Sequence, residues 1–132
     1  MDIGKRILAN QPFPTLMGVE IVSAEPARVL ARLVVRPELC TAGHIMHGGA
    51  IMAFADTLGA IGAVLTMPRE ANTTTIESKT NFIGAAKEGT TVTGECTPVH
   101  VGKRSSVWTT RIAREDGKLV AVVTQTQLIL LP

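Results

Sequence analysis

His47-Gly48-Gly49-Ala50 and, nine positions after the histidine, Asp56 are the residues of this chain whose types and spacing can do chemistry together. Two adjacent glycines ahead of an apolar run leave backbone amides that no Cβ screens. If the run is a helix, those amides are unpaired donors of its first turn, backed by roughly half a positive charge. An oxygen that gains negative charge during a reaction would be stabilised there. Asp56 would be the matching base or nucleophile, and His47 could orient the loop or bind substrate. With no metal-ligand cluster and no triad beside them, these parts suggest acyl transfer to water.

Each residue alone has a plainer reading. A lone histidine is more often a satisfied core residue, and a buried aspartate more often holds neighbouring amides. His44-x-x-His47 spaces two imidazoles for a metal, but no third ligand stands nearby in sequence, so no metal is expected. It is the combination that favours catalysis.

The element that must position these groups is the run 50–67, AIMAFADTLGAIGAVLTM, whose one charge is Asp56. Its length and its Ala, Met and Leu favour helix, although Gly59 and Gly62 each cost roughly 1 kcal/mol in a helix interior. Without a polar face the helix is expected to be buried on nearly all sides. Gly59, Ala60, Gly62 and Ala63 would let another backbone come close. A carboxylate in such surroundings is costly unless it finds a partner or a proton. The run approaches the roughly 20 residues of a membrane span. The mid-run Asp56, the lack of flanking Trp or Tyr and the strand-rich remainder argue for a core helix and against a span.

Ile3, Ile7 and Leu8 line one face of a short first helix, which Pro12 and Pro14 are expected to end. Residues 16–24 read as a strand, with a turn near Glu25-Pro26. Over 27–36, Arg28, Leu30, Arg32, Val34 and Arg36 share one strand face, and Val29, Ala31, Leu33 and Val35 the other. Residues 38–46 read as a loop. After Pro68 come strands at 72–83, 90–101, 105–114 and 119–131, separated by turns at 84–89, 102–104 and 115–118. One buried helix between two early strands and four later ones predicts a single α+β domain over 1–132, an antiparallel sheet wrapped around a central helix. The edges and outer face of such a sheet invite a second copy.

Composition sets the surroundings. Hydrophobic residues make up 45% and charged residues 18% of the 132, ordinary for a soluble domain and low enough in charge to hint at surface buried between subunits. A net charge of +2, no Tyr, one Trp and three Phe argue against nucleic-acid binding. Cys40 and Cys96 fit neither a metal spacing nor a disulfide framework, so free thiols are expected. The opening MDIGKRILANQPFP has no apolar stretch long enough for a signal peptide, and a cytoplasmic location is the expectation.

His47-Gly48-Gly49-Ala50 with Asp56 resembles the hotdog-fold acyl-CoA thioesterases. It is most similar to the phenylacetate-degradation type, which includes the 4-hydroxybenzoyl-CoA and medium-chain acyl-CoA enzymes, and the likeness covers nearly the whole chain. The resemblance implies a hotdog fold and hydrolysis of acyl- or aryl-CoA to free acid and CoA. It makes the Gly48 amide the oxyanion donor and Asp56 the nucleophile or general base, with His47 and Thr41 beside them and Gly49 against the substrate. Thr75 lies where relatives place a Ser or Thr near the catalytic water. Gly84-Ala85-Ala86 and Gly102-Lys103-Arg104-Ser105 look like the loops used around the pantetheine and phosphates of CoA. A basic pair in a turn suits phosphate on its own account, the plainer reading being a solvated turn. No cofactor is implied, CoA being part of the substrate. Ile51, Met52, Phe54 and Ala55 are expected to help shape the acyl pocket.

Two positions depart from the family pattern. Six residues before His47, where relatives carry Asn or Gln, stands Thr41; three before it, where they carry Gly, stands His44. The rival reading is a non-catalytic acyl-CoA or fatty-acyl binding protein, favoured by Thr41 and opposed by Asp56.

Gly48 and Asp56 are eight residues apart, about 12 Å along a helix axis at about 1.5 Å per residue. One thioester carbonyl cannot reach both within the ~3 Å that attack requires. Two copies must therefore meet with Gly48 of one facing Asp56 of the other, as in a two-fold dimer with antiparallel helices. The resemblance implies a homotetramer of paired dimers.

Overall fold

The computed structural model describes residues 2–132. Asp2 caps the first helix, α1 (Ile3–Ala9), by accepting a hydrogen bond from the Lys5 amide at 2.9 Å. The prolines that follow begin a second helix as well as ending the first. Pro12 occupies the first position of α2 (Pro12–Met17), where its missing N–H costs nothing and its fixed φ suits the helix. Gly18, in the left-handed region at φ 89, stops α2 with its amide on the Pro14 and Thr15 carbonyls. Leu16 and Met17 are thus helical, and the strand expected over 16–24 starts only at Glu20.

Six strands form one sheet: β1 (Glu20–Glu25), β2 (Arg28–Val34), β5 (Asn72–Phe82), β6 (Thr91–Val101), β7 (Ser105–Arg114) and β8 (Leu119–Leu130). Their order is β1-β2-β6-β7-β8-β5, and every neighbouring pair is antiparallel. The stretch expected as a loop over 38–46 holds a 3-10 turn, Pro37–Leu39, and a two-residue ladder between β3 (Cys40–Thr41) and β4 (Ile45–Met46). Between β4 and β5 runs α3 (Gly48–Thr66), which carries the chain from β2, near one edge of the sheet, to β5 at the other. β5 and β8 shift register between Thr75 and Glu77, leaving Ile76 unpaired. Such a bulge re-aims the side chains beside it.

The sheet closes around α3. Phe54, Leu58 and Ile61 of the helix are fully buried with Val29, Ala31, Val92, Trp108, Ile112 and Val123 of the strands. A Cβ on Gly62 would lie 2.7 Å from the Trp108 ring, and one on Gly59 would lie 2.2 Å from the Gln125 side chain. These glycines admit side chains of the sheet, not another backbone. By length and composition α3 could cross a bilayer, but half of that stretch is covered within the protein. Nor is it buried all round. Nine of its nineteen residues are buried, whereas Gly49, Met52, Ala53, Asp56, Ala60 and Val64 form a stripe that stays exposed or half-exposed. Side chains three and four residues apart share a helix face, so Asp56 sits in the middle of an otherwise apolar, uncovered strip.

Candidate active site

His47 is the N-cap of α3, and its Nδ1 accepts the Gly49 amide at 2.7 Å. That bond makes Nδ1 the acceptor and leaves the ring proton on Nε2. The His47 carbonyl takes the amides of Ala50 and Ile51. Among the described residues the Gly48 N–H has no acceptor, so it is the donor left over at the positive end of a long helix. The Phe82 ring packs against Gly48 on its Cβ side, so near that a Cβ there would stand 3.1 Å from Cε1.

Asp56 is half-buried. Its Oδ1 accepts the Thr75 hydroxyl at 2.5 Å and Gln125 Nε2 at 3.2 Å. Gln127 Nε2 donates to Thr75 Oγ1 at 2.6 Å, and Thr73 Oγ1 lies 3.0 Å from Gln127 Oε1 and 2.9 Å from the Leu128 carbonyl. The structure thus joins Thr75 to Asp56 and adds two glutamines that sequence reasoning missed. The signal was there: along β8 the inward positions 121, 123, 125, 127 and 129 read Ala, Val, Gln, Gln, Ile, two amides on the apolar face.

The remaining expected site residues fall at opposite ends of α3. Gly84 and Ala85 are exposed and follow Phe82, on the Gly48 side. Lys103 and Arg104 are exposed and Ser105 half-buried. The Arg104 carbonyl accepts the Ile129 amide at 2.8 Å, and Ile129 packs with Ala63, Ala71 and Met67 at the far end of the helix. Within one chain, therefore, the basic pair and Gly48 are kept apart. Thr41 is exposed on β3 and makes no hydrogen bond to Asp56. His44 sits at φ 59, a left-handed backbone that favours glycine, with Nδ1 3.2 Å from Glu88 Oε1. The family's glycine at that position has its physical reason here.

Ile51, Phe54 and Ala55 are buried in the core and do not line the cavity at the start of α3. That cavity, of about 570 Å³, lies instead beside His47, Gly49 and Ala50, with Phe13, Leu16, Met17 and Leu39 as its apolar wall. Cys40, unpaired and half-buried, and Arg36 also line it.

A six-stranded antiparallel sheet around one long helix is the hotdog fold. Residues 43–121 match the model of the thioesterase superfamily, and the chain belongs to that superfamily. It is 35% identical over 78 residues to a putative esterase of Vibrio cholerae, covering 59% of this chain and 51% of that protein. It is 35% identical over 75 residues to the 1,4-dihydroxy-2-naphthoyl-CoA hydrolase of Escherichia coli, covering 57% of this chain and 54% of that enzyme. The matches thus span about half the length of these two relatives. The solved PaaI protein of the Escherichia coli phenylacetic acid degradation operon superposes with a TM-score of 0.87 over 97% of this chain and 90% of its own, at 19% identity, a likeness of fold.

Proposed function

We propose that this protein hydrolyses acyl- or aryl-CoA thioesters to the free acid and CoA, at a site built by two copies of the chain. The observation that carries the reading is the pairing of a free Gly48 amide at a helix start with an anchored carboxylate, Asp56, on an uncovered strip. The Gly48 N–H of one chain receives the thioester oxygen as negative charge builds on it. Asp56 of the other chain attacks the carbonyl carbon or takes a proton from the water that does. The carbonyl–sulfur bond breaks, and the CoA thiolate leaves and is protonated. Where water attacks, the acid is released at once; where Asp56 attacks, the acyl–Asp56 anhydride is then hydrolysed by water, which frees the acid and restores the carboxylate. No cofactor is needed, because CoA arrives with the substrate.

The apolar cavity beside His47 and Gly49 suits the acyl group. Its wall of Phe13, Leu16 and Met17 gives the α2 segment a part in acyl selection. The apolar strip on α3 and the free β5 edge, with Ile76 58% and Phe82 57% exposed, support pairing of two chains. If the helices run antiparallel, Lys103 and Arg104 of one chain extend past His47 of the other, a position for the distal phosphates of CoA. A tetramer of such dimers is the fuller form of this proposal.

Incubation with a panel of acyl- and aryl-CoA esters and a thiol reagent tests the reading. Multiple turnovers of thiol release are expected, and Asp56→Asn should keep the fold and lower turnover about 10²- to 10⁴-fold, the usual worth of a positioned base. Tight acyl-CoA binding with no thiol released would instead favour the binding protein, the reading that Thr41, lacking an amide, leaves room for.

A further inference from the structure

The anchoring of Asp56 is one-sided. Both side-chain donors that reach it, the Thr75 hydroxyl and Gln125 Nε2, end on Oδ1, and Oδ2 accepts nothing from the described residues. Thr75 has one hydroxyl proton, and its Oγ1 is already an acceptor for Gln127 Nε2, so that proton goes to Asp56. Gln125 Nε2 also lies 3.4 Å from the Asp56 carbonyl. Two acceptors on that side require the NH₂ end of the amide to face them. The cost appears at its other end, where Oε1 is buried without a partner. An orphaned buried acceptor is destabilising, so a leucine or methionine at 125 would serve the core better.

The fold makes room for this amide. Gln125 is 0% exposed on β8, opposite Ser78 of β5 and Trp108 of β7, so strands on both sides hold its backbone. Its head group occupies the gap left by the missing side chain of Gly59, where a Cβ would stand 2.2–2.4 Å from Cδ, Oε1 and Nε2. Gly59 itself is a poorer helix former than alanine. Two unfavourable choices, a glycine in mid-helix and a glutamine in the core, meet at one hydrogen bond to the one charge of α3.

From this geometry we infer that Gln125 is a positioning residue which, with Thr75, fixes Oδ1 of Asp56 and leaves Oδ2 as the oxygen that acts on the thioester or its water. The inference rests on the proposed role of Asp56. Gln125→Met keeps length and apolar bulk but removes the donor. It should fold as the wild type and lower kcat about 10- to 100-fold with KM within about twofold, since the lost contact orients the carboxylate without touching substrate. Gly59→Ala should do the same by displacing the amide, and the double variant should be no worse than the poorer single one, as expected when both remove one interaction. Unchanged kcat in either folded variant, or a loss carried by KM, overturns the inference. A readout independent of activity is the Gln125 side-chain amide in ¹⁵N-labelled wild-type protein. One Nε2 proton should be shifted downfield by the carboxylate and should return upfield in Asp56→Ala. An amide indifferent to Asp56→Ala overturns the anchor even if both core variants fail to fold. A wild type that hydrolyses no thioester sinks the hydrolase reading instead, and the amide resonance still decides whether Gln125 holds Asp56.

Discussion

Cys96 is wholly buried on β6, and burial pushes its thiol from an ordinary 9.0 up to about 11, with Thr110 pulling weakly the other way. The folded chain therefore holds this proton more tightly than the unfolded chain does. Its contribution to stability is complete below pH 9 and is lost as pH rises through about 11. The difference in denaturant midpoint between wild type and Cys96→Ala should be constant near pH 8 and narrow between pH 9 and 11. A difference that stays flat over that window would mean that the thiol is not desolvated. At this scale the sequence was informative where a residue broke its local pattern. Asp56 is the one charge in an apolar run and Gly48-Gly49 is a pair of bare amides, so both could be read directly. Gln125 and Gln127 were passed over because polar residues in an alternating strand are assigned to the solvent face by default. Only the phase of the alternation, Ala121 and Val123 before them and Ile129 after, places them inside.

Gly62 shows how closely α3 is fitted to the sheet. Alanine there would favour the helix by about 1 kcal/mol. Its Cβ would meet three carbons of the Trp108 ring at 2.7–2.9 Å, and that ring is fully buried, with Nε1 bonded to Ser106 Oγ at 2.9 Å. A rigid ring tied at its edge cannot step aside as the flexible end of Gln125 can, and overpacking typically costs about 1–3 kcal/mol. Gly62→Ala should therefore lower the urea midpoint despite its better propensity, while Gly59→Ala disturbs function more than stability. A Gly62→Ala protein as stable as the wild type would show that the helix can slide on β7. The later strands were legible because alternation and Gly-rich turns coincide from residue 72 onward. The start of the chain was not. Pro12 and Pro14 read as terminators, yet proline at a first helical position also starts a helix, and sequence alone does not separate the two. The burial of α3 was overstated for a related reason. An apolar helix face looks the same in sequence whether the chain's own sheet covers it or a second copy does.

That last ambiguity is settled only by asking how many chains complete one site. α3 is continuous from Gly48 to Thr66, so Gly48 and Asp56 stand about 12 Å apart along its axis, and the basic turn at Lys103 and Arg104 lies beyond Asp56, near the far end of the helix. Each chain thus holds one half of the proposed chemistry at the head of its helix and the other half further along. Two antiparallel copies, strip against strip, would bring unlike halves together twice and cover the apolar stripe in doing so. The decisive experiment uses two inactive variants, Asp56→Ala and Gly48→Leu, the latter placing a bulky side chain at the helix start, against the Phe82 ring. Each alone should be folded, should run as a dimer or larger on sizing, and should have negligible turnover. In a heterodimer, Gly48 of the first chain meets Asp56 of the second, while the other site lacks both groups. Pure heterodimer should recover about half the wild-type activity per dimer, and a random equal mixture about a quarter, because half of its dimers are homodimers. Recovery should follow the time course of subunit exchange, measured with a fluorescent label on one variant. Exchange without recovery would mean that each chain carries a complete site of its own, with the hydrogen-bond donor to the oxyanion somewhere other than Gly48.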